Sequence, residues 1–213
     1  MHRPMAKCVT IGKKIISILS AAMLMAAVGC GDRRTYLVDP EISSKAAIEQ
    51  YDKNGDGLLD ETELKECPGL LNALRAFDDS KDKKLSREEI AEEIDYIYQR
   101  NPGLTAITCS VALDGNPLSG ATVKFIPEKF LGDEIKTAEG ITNNAGVASM
   151  SIPAEELPKE LRRTSALRVG IYRVEITHPS RKIPAKYNTE SELGFDFHAG
   201  DHVQPPVFNL KSA

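Results

Sequence analysis

The sequence predicts an α+β, multidomain chain, with an all-α part near the N-terminus followed by an all-β part. Three observations predict it. Apolar residues recur at helical spacing between positions 42 and 103, two oxygen-rich twelve-residue stretches interrupt that spacing, and from Thr105 the pattern becomes an alternation broken by turn residues. A chain of 213 residues has room for two domains of about 100 residues each. With hydrophobic residues at 41% and charged residues at 27% the chain can bury a core, and with no Trp and 6% aromatics that core is expected to be mainly Leu, Ile and Val. The net charge of -4 is unevenly shared: residues 42 to 103 hold 15 acids against 9 bases, which points to a cation as ligand there. No basic cluster lies beyond the extreme N-terminus, so nucleic acid is not expected as a partner.

Residues 1–29 read as a signal peptide. His2, Arg3, Lys7, Lys13 and Lys14 come first with no acid among them, and Ile15 to Gly29 is an uncharged run ending in small residues. That run is shorter than the roughly 20 residues a membrane helix needs. Ala27-Val28-Gly29-Cys30 resembles the bacterial lipobox, which implies cleavage before Cys30 and lipidation of its thiol. Several acyl chains give stable anchoring where one is marginal. The resemblance therefore implies a cell-envelope protein held to the membrane through Cys30, with residues 30–41 as a tether; without lipidation the product is secreted.

The helical part, residues 42–103, is organised by its first loop, Asp52 to Glu63. Asp52, Asn54 and Asp56, the Leu58 carbonyl, Asp60 and Glu63 fall at the places from which a twelve-residue EF-hand loop gives oxygen to calcium, with Gly57 at the sharp turn and Gly55 easing the same bend. Calcium wants six to eight oxygens, which this donor set supplies. In the second loop Asp78, Ser80, Asp82, the Lys84 carbonyl, Ser86 and Glu89 hold the same places, but Lys83 replaces the turn glycine and the carboxylates fall from four to three. A non-glycine residue turned to positive φ costs roughly 1 kcal/mol or more. Whether this loop binds calcium or only supports the first stays open. Leu59 and Leu85 share the eighth place, where paired loops join as a two-stranded bridge. Leu64 ends a short exit helix closed by Pro68. Leu70, Leu71, Leu74 and Phe77 face inward on the next helix, and Ile90, Ile94 and Ile97 on the last, which Ser86 and Glu89 start as a capping box. Only 26 residues separate the loop starts, and this compact spacing resembles the tandem EF-hands of bacterial envelope proteins and dockerin-like modules.

Residues 104–213 read as about seven short strands in a β-sandwich. Val111 and Leu113 precede Asp114-Gly115; Ala121, Val123 and Phe125 follow; Asn143 to Gly146 turns into Val147 to Ile152. Tyr172, Val174 and Ile176 are expected inside, with Arg173, Glu175 and Thr177 facing out, and later strands at Phe195 to Phe197 and Val207 to Leu210. Ser151 to Arg163, with its prolines, reads as an excursion containing a helical turn. Asp114 to Val123, Thr142 to Gly146 and Gly170 to Val174 resemble the transthyretin-like, carboxypeptidase regulatory-like domains with an Ig-like sandwich, and that likeness implies a fold more than a role.

An enzyme is not expected. The C-terminal Tyr-Arg-Gly-Ser signature of the related hydroxyisourate hydrolases is missing, and no nucleophile motif, phosphate-binding glycine loop or zinc cluster stands in its place. His178, His198 and His202 lie among strand and turn signals, where their spacing does not gather rings as one helical turn would, and read as surface residues. Cys67 and Cys109 remain after export, either bridged or as buried thiols. The expected role is a noncatalytic, calcium-binding envelope lipoprotein whose β part meets a cell-surface protein or polysaccharide. An exported enzyme with structural calcium and a calcium-dependent sensor or adhesion module are the alternatives.

Overall fold

The computed structural model describes residues 37–99, 103–163, 165–197 and 204–212. The expected signal peptide, Cys30, the first part of the tether, His198 and His202 lie outside the described residues. The architecture is mixed α+β, with three α-helices and three sheets among the described residues. Among the described residues no helix is long and apolar enough to cross a membrane.

Helix α1 (Pro40–Tyr51) starts where Asp39 Oδ1 accepts the Glu41 and Ile42 N–H groups at 3.0 and 3.1 Å, satisfying donors that a helix start leaves free. It ends at Asp52, and β1 (Leu58–Asp60) follows. The expected exit helix is a single 3-10 turn, Glu63–Glu66. Pro68 does not close it but opens α2 (Pro68–Phe77); without an N–H, proline costs nothing at a first helical position. Strand β2 (Lys84–Ser86) pairs antiparallel with β1, Leu59 opposite Leu85. Helix α3 (Arg87–Tyr98) carries the expected capping box: Ser86 Oγ accepts from Glu89 N at 3.2 Å, and Glu89 Oε2 accepts from Ser86 N at 2.9 Å. Leu70, Phe77, Ile90, Ile94 and Ile97 are buried, while Leu71 and Leu74 are only partly covered.

The remaining strands number eight among the described residues, one more than expected. In the first sheet β3 (Thr108–Leu113) pairs in parallel with β10 (Val207–Leu210), and antiparallel with both β4 (Asn116–Pro117) and β7 (Val147–Ser149). Asp114 and Gly115, at φ 51 and 82, make the two-residue hairpin between β3 and β4, since only positive φ at both places matches the strand twist. The second sheet runs β6 (Ala138–Ile141), β5 (Thr122–Pro127), β8 (Gly170–Thr177), β9 (Gly194–Phe197), all antiparallel. Phe125 joins the sheets through the core, its ring centroid 5.2 Å from Phe195, 6.0 Å from Tyr172 and 6.2 Å from Phe208 of the first sheet. Ser151 to Arg163 holds one isolated bridge, Glu139 to Ser151, and one 3-10 turn, Ala154–Glu156.

Tyr172, Val174 and Ile176 are buried as expected. Arg173 does not simply face out, because the neighbouring Ile171 on its face is covered by α2. A Cβ on Gly69 would stand 2.7 Å from Ile171 Cγ2, and one on Gly194 only 1.8 Å from the Pro68 carbonyl; the backbones meet where only glycine fits. Glu128, 1% exposed, accepts the Gly69 N–H at 2.9 Å and faces Arg173 Nη2 at 3.6 Å. Burial raises the Glu128 carboxyl above the usual carboxylate range, with the Gly69 N–H and Arg173 pulling the other way. At the far end of α3 the Tyr98 hydroxyl donates to the Val169 carbonyl at 3.1 Å. The described residues of 42–103 and of 104–213 therefore share one core, within one compact unit. Cys67 and Cys109 are both free and buried. The Cys109 thiol lies 3.7 Å from the Met150 sulfur, and burial pushes it up to about 12.

Candidate metal centre

The loop after α1 is built by its own acids. Asp52 Oδ1 accepts the Gly55 N–H at 2.6 Å and Oδ2 the Gly57 N–H at 3.0 Å; Asn54 Oδ1 accepts from Asp56 N at 2.8 Å, and Asp56 Oδ1 from Leu58 N at 2.9 Å. Each short side chain thus bends the chain back over itself. Gly55 and Gly57 make the reversals at φ 77 and 81. Glu63, buried, closes the loop: Oε1 takes the Lys53 and Asn54 N–H groups at 2.9 and 3.2 Å, and Oε2 takes the Asp60 N–H at 3.0 Å. Asp60 Oδ1 in turn accepts from Thr62 and Glu63 at 2.7 and 3.1 Å. All five ligand side chains expected from the first loop are anchored in this one network, and Leu58 stands at its edge in β1.

The second loop repeats the network. Asp78 accepts from Asp82 N and Lys83 N at 3.2 and 2.9 Å, and Asp82 Oδ1 from Lys84 N at 2.8 Å. Glu89 takes Ser80 N at 3.0 Å and Ser86 N at 2.9 Å, closing the loop as Glu63 closes the first. Lys81 and Lys83 sit at φ 63 and 66, where the first loop has glycines. The strain expected at Lys83 is real, and sequence reasoning missed its counterpart at Lys81. Burial works to raise the Glu89 carboxyl, but the Ser86 and Ser80 N–H groups outweigh it and hold it below the ordinary value.

Lys84 departs most from expectation. Its place in the pattern offers a carbonyl, yet its side chain crosses to the first loop and Nζ lies 3.0 Å from Asp56 Oδ2. This contact holds the Asp56 carboxyl below the usual range, helped by the Leu58 N–H, and raises the Lys84 ammonium. The signal that could have found it is the β1–β2 register, which sets Lys84 opposite Asp60.

Among the described residues no group of three or more His, Cys, Asp or Glu side chains is placed to hold a metal ion. The donor chemistry nevertheless suits a hard cation, being all oxygen, and a cation does sit on one of the acids, the Lys84 ammonium on Asp56. His178 is no metal ligand in this arrangement: Nδ1 accepts the Ser180 and Arg181 N–H groups at 3.1 and 3.0 Å while Nε2 lies 2.9 Å from the Ser119 carbonyl, so both nitrogens are engaged. No protein-family model, curated protein or solved structure matches the chain.

Proposed function

We propose that the protein is a noncatalytic, calcium-binding lipoprotein of the cell envelope, in which an EF-hand pair is built onto a transthyretin-like, Ig-like β-sandwich. The single observation that carries the calcium reading is the Glu63 carboxylate, which gathers N–H groups from both ends of the first loop and so keeps the loop folded around its oxygen donors. Asp52, Asn54, Asp56, Asp60, Glu63 and the Leu58 carbonyl would hold the ion, and calcium would balance the negative charge that the Lys84 ammonium meets only at Asp56. The ion is structural: extracellular modules bind at about 0.1 to 1 mM or tighter, near the level outside cells, so the site stays filled. Two loops joined at Leu59 and Leu85 support the paired arrangement, and two sheets meeting through Phe125 and Phe208 support the sandwich. Calorimetric titration of the purified chain with calcium tests the reading, and it fails if no heat of binding is seen up to several millimolar.

The membrane part of the reading rests on Cys30 and the small residues before it. Mass spectrometry of the mature N-terminus should find a lipidated Cys30 as the first residue. The β part then meets a cell-surface protein or polysaccharide, which calcium-dependent crosslinking on intact cells would capture.

A further inference from the structure

The geometry points to Lys84 as a tethered cation that holds the place of the metal ion at the first loop and so sets that loop's affinity from outside it. The inference rests on the calcium reading above. By sequence position Lys84 belongs to the second loop, but the antiparallel register sets it opposite Asp60 and its Nζ reaches Asp56 Oδ2 at 3.0 Å. Asp56 Oδ1 accepts the Leu58 N–H, and the second oxygen, Oδ2, is the one the ammonium meets. Lys81 and Lys83 differ: among the described residues neither forms an ion pair with the first loop.

The same contact acts with opposite sign in two states. Without metal, Asp52, Asp56, Asp60 and Glu63 repel one another, and the ammonium relieves part of that repulsion. When a divalent ion reaches Asp56, the ammonium must give up Oδ2 or stay beside a like charge, and either outcome costs affinity. Side-chain exposures of 35% for Lys84 and 39% for Asp56 leave room for the lysine to swing into solvent. Lys84 thus stabilises the empty loop and weakens the filled one, keeping affinity low where the ion is abundant. An ordinary surface ion pair would do the first and not the second.

The test compares wild type, Lys84→Met, Lys84→Arg and Lys83→Met in the full chain by calorimetric titration with calcium and by thermal melting with chelator or with saturating calcium. Lys84→Met should bind calcium about tenfold tighter, the scale of one charge removed from a partly solvated site. Its midpoint in chelator should fall below wild type and its midpoint in calcium rise above it. Lys84→Arg should behave like wild type, and Lys83→Met should change affinity by about twofold at most, because its side chain is exposed and forms no ion pair with the first loop among the described residues, so its charge is screened. Lys84→Met binding no tighter than wild type, or Lys83→Met gaining as much, overturns the inference while leaving the calcium reading intact. Absence of calcium binding in every variant, all of them melting cooperatively, overturns both.

Discussion

The two loops follow the same backbone path with different means. In the first, both left-handed positions are glycines, and the bends cost no steric strain. In the second, Lys81 and Lys83 are forced into the same region, at a cost of roughly 1–2 kcal/mol each. What holds them there is the carboxylate network, Asp78 and Asp82 near the start and Glu89 at the end, together with the Leu59–Leu85 bridge. Loop shape is therefore specified by oxygen acceptors taking N–H groups, and glycine only makes it inexpensive. The donor sets differ where the backbone path does not: the second loop has one carboxylate fewer than the first and three lysines within it.

The largest test of that comparison is the closing glutamate. Glu63→Gln should weaken calcium binding on the order of a hundredfold, since the loop loses a charged, two-oxygen donor, while Glu89→Gln should change it by less than about tenfold. Equal losses in titration, or two equivalent tight sites in wild type, would reverse the ranking of the loops.

A second prediction carries the difference into the strands. Glu63 begins the 3-10 turn that leads to Cys67, Pro68 and Gly69, and Gly69 is bonded to Glu128 beside the second sheet. Calcium held by the first loop should therefore stabilise the whole unit. A hundredfold excess over the dissociation constant is worth about 2.7 kcal/mol, or about 5–10 °C for a chain of this size. Amide hydrogen exchange in the helices and in β8, which carries the buried Tyr172, should change together on chelation. Helices losing protection while β8 keeps it would mean that the shared core is weaker than its packing indicates. By the same packing, residues 104–213 alone would expose Ile171 and leave Glu128 without its Gly69 partner, so that fragment should be less stable than the full chain even with calcium absent from both.

Much of the helical part was legible because its signals are local. The loop spacing, the Ser86–Glu89 capping box and the inward Ile90, Ile94 and Ile97 each depend on residues a few places apart, and the Leu59–Leu85 bridge follows from two loops in phase. The misses are long-range. Arg173 reads as outward because alternation shows which residues share a face of a strand, not what covers that face; α2 covers it at Ile171. Glu128 is 59 residues from the N–H it caps. Lys84 has a place in the local pattern as a carbonyl, and only the register across two strands reveals where its side chain goes.

The two loops also differ in what a change of residue at the turn would cost. Nothing lies within 4 Å of a Cβ added at Gly57, so Gly57→Ala isolates the conformational cost and should destabilise by about 1 kcal/mol. At the matching place Lys83→Gly should stabilise by about 0.5 kcal/mol, the relief of strain being partly offset by the freer unfolded chain. Thermal melts in chelator measure both. The same sign in the two variants would show that Lys83 is not strained at φ 66.

The smallest effect expected is that of Glu89→Gln on stability. Its carboxylate accepts the Ser80 and Ser86 N–H groups while Ser86 Oγ caps α3, and the amide replaces one accepting oxygen by a donor. Half the box survives, the site is largely solvated, and the loss should be about 0.5 kcal/mol near pH 7. The pH dependence identifies its origin. Despite burial, those N–H groups hold the folded carboxyl below its ordinary value of 4.5, so the charged form favours folding. That contribution is fully present above the unfolded value and is lost as pH falls through the folded one. The gap between wild type and Glu89→Gln should therefore be constant from pH 8 to about 5 and close progressively below about 4.5. Midpoints measured in chelator across that range decide it: a gap that persists at low pH would assign Glu89 a role in shape alone, with no share for its charge.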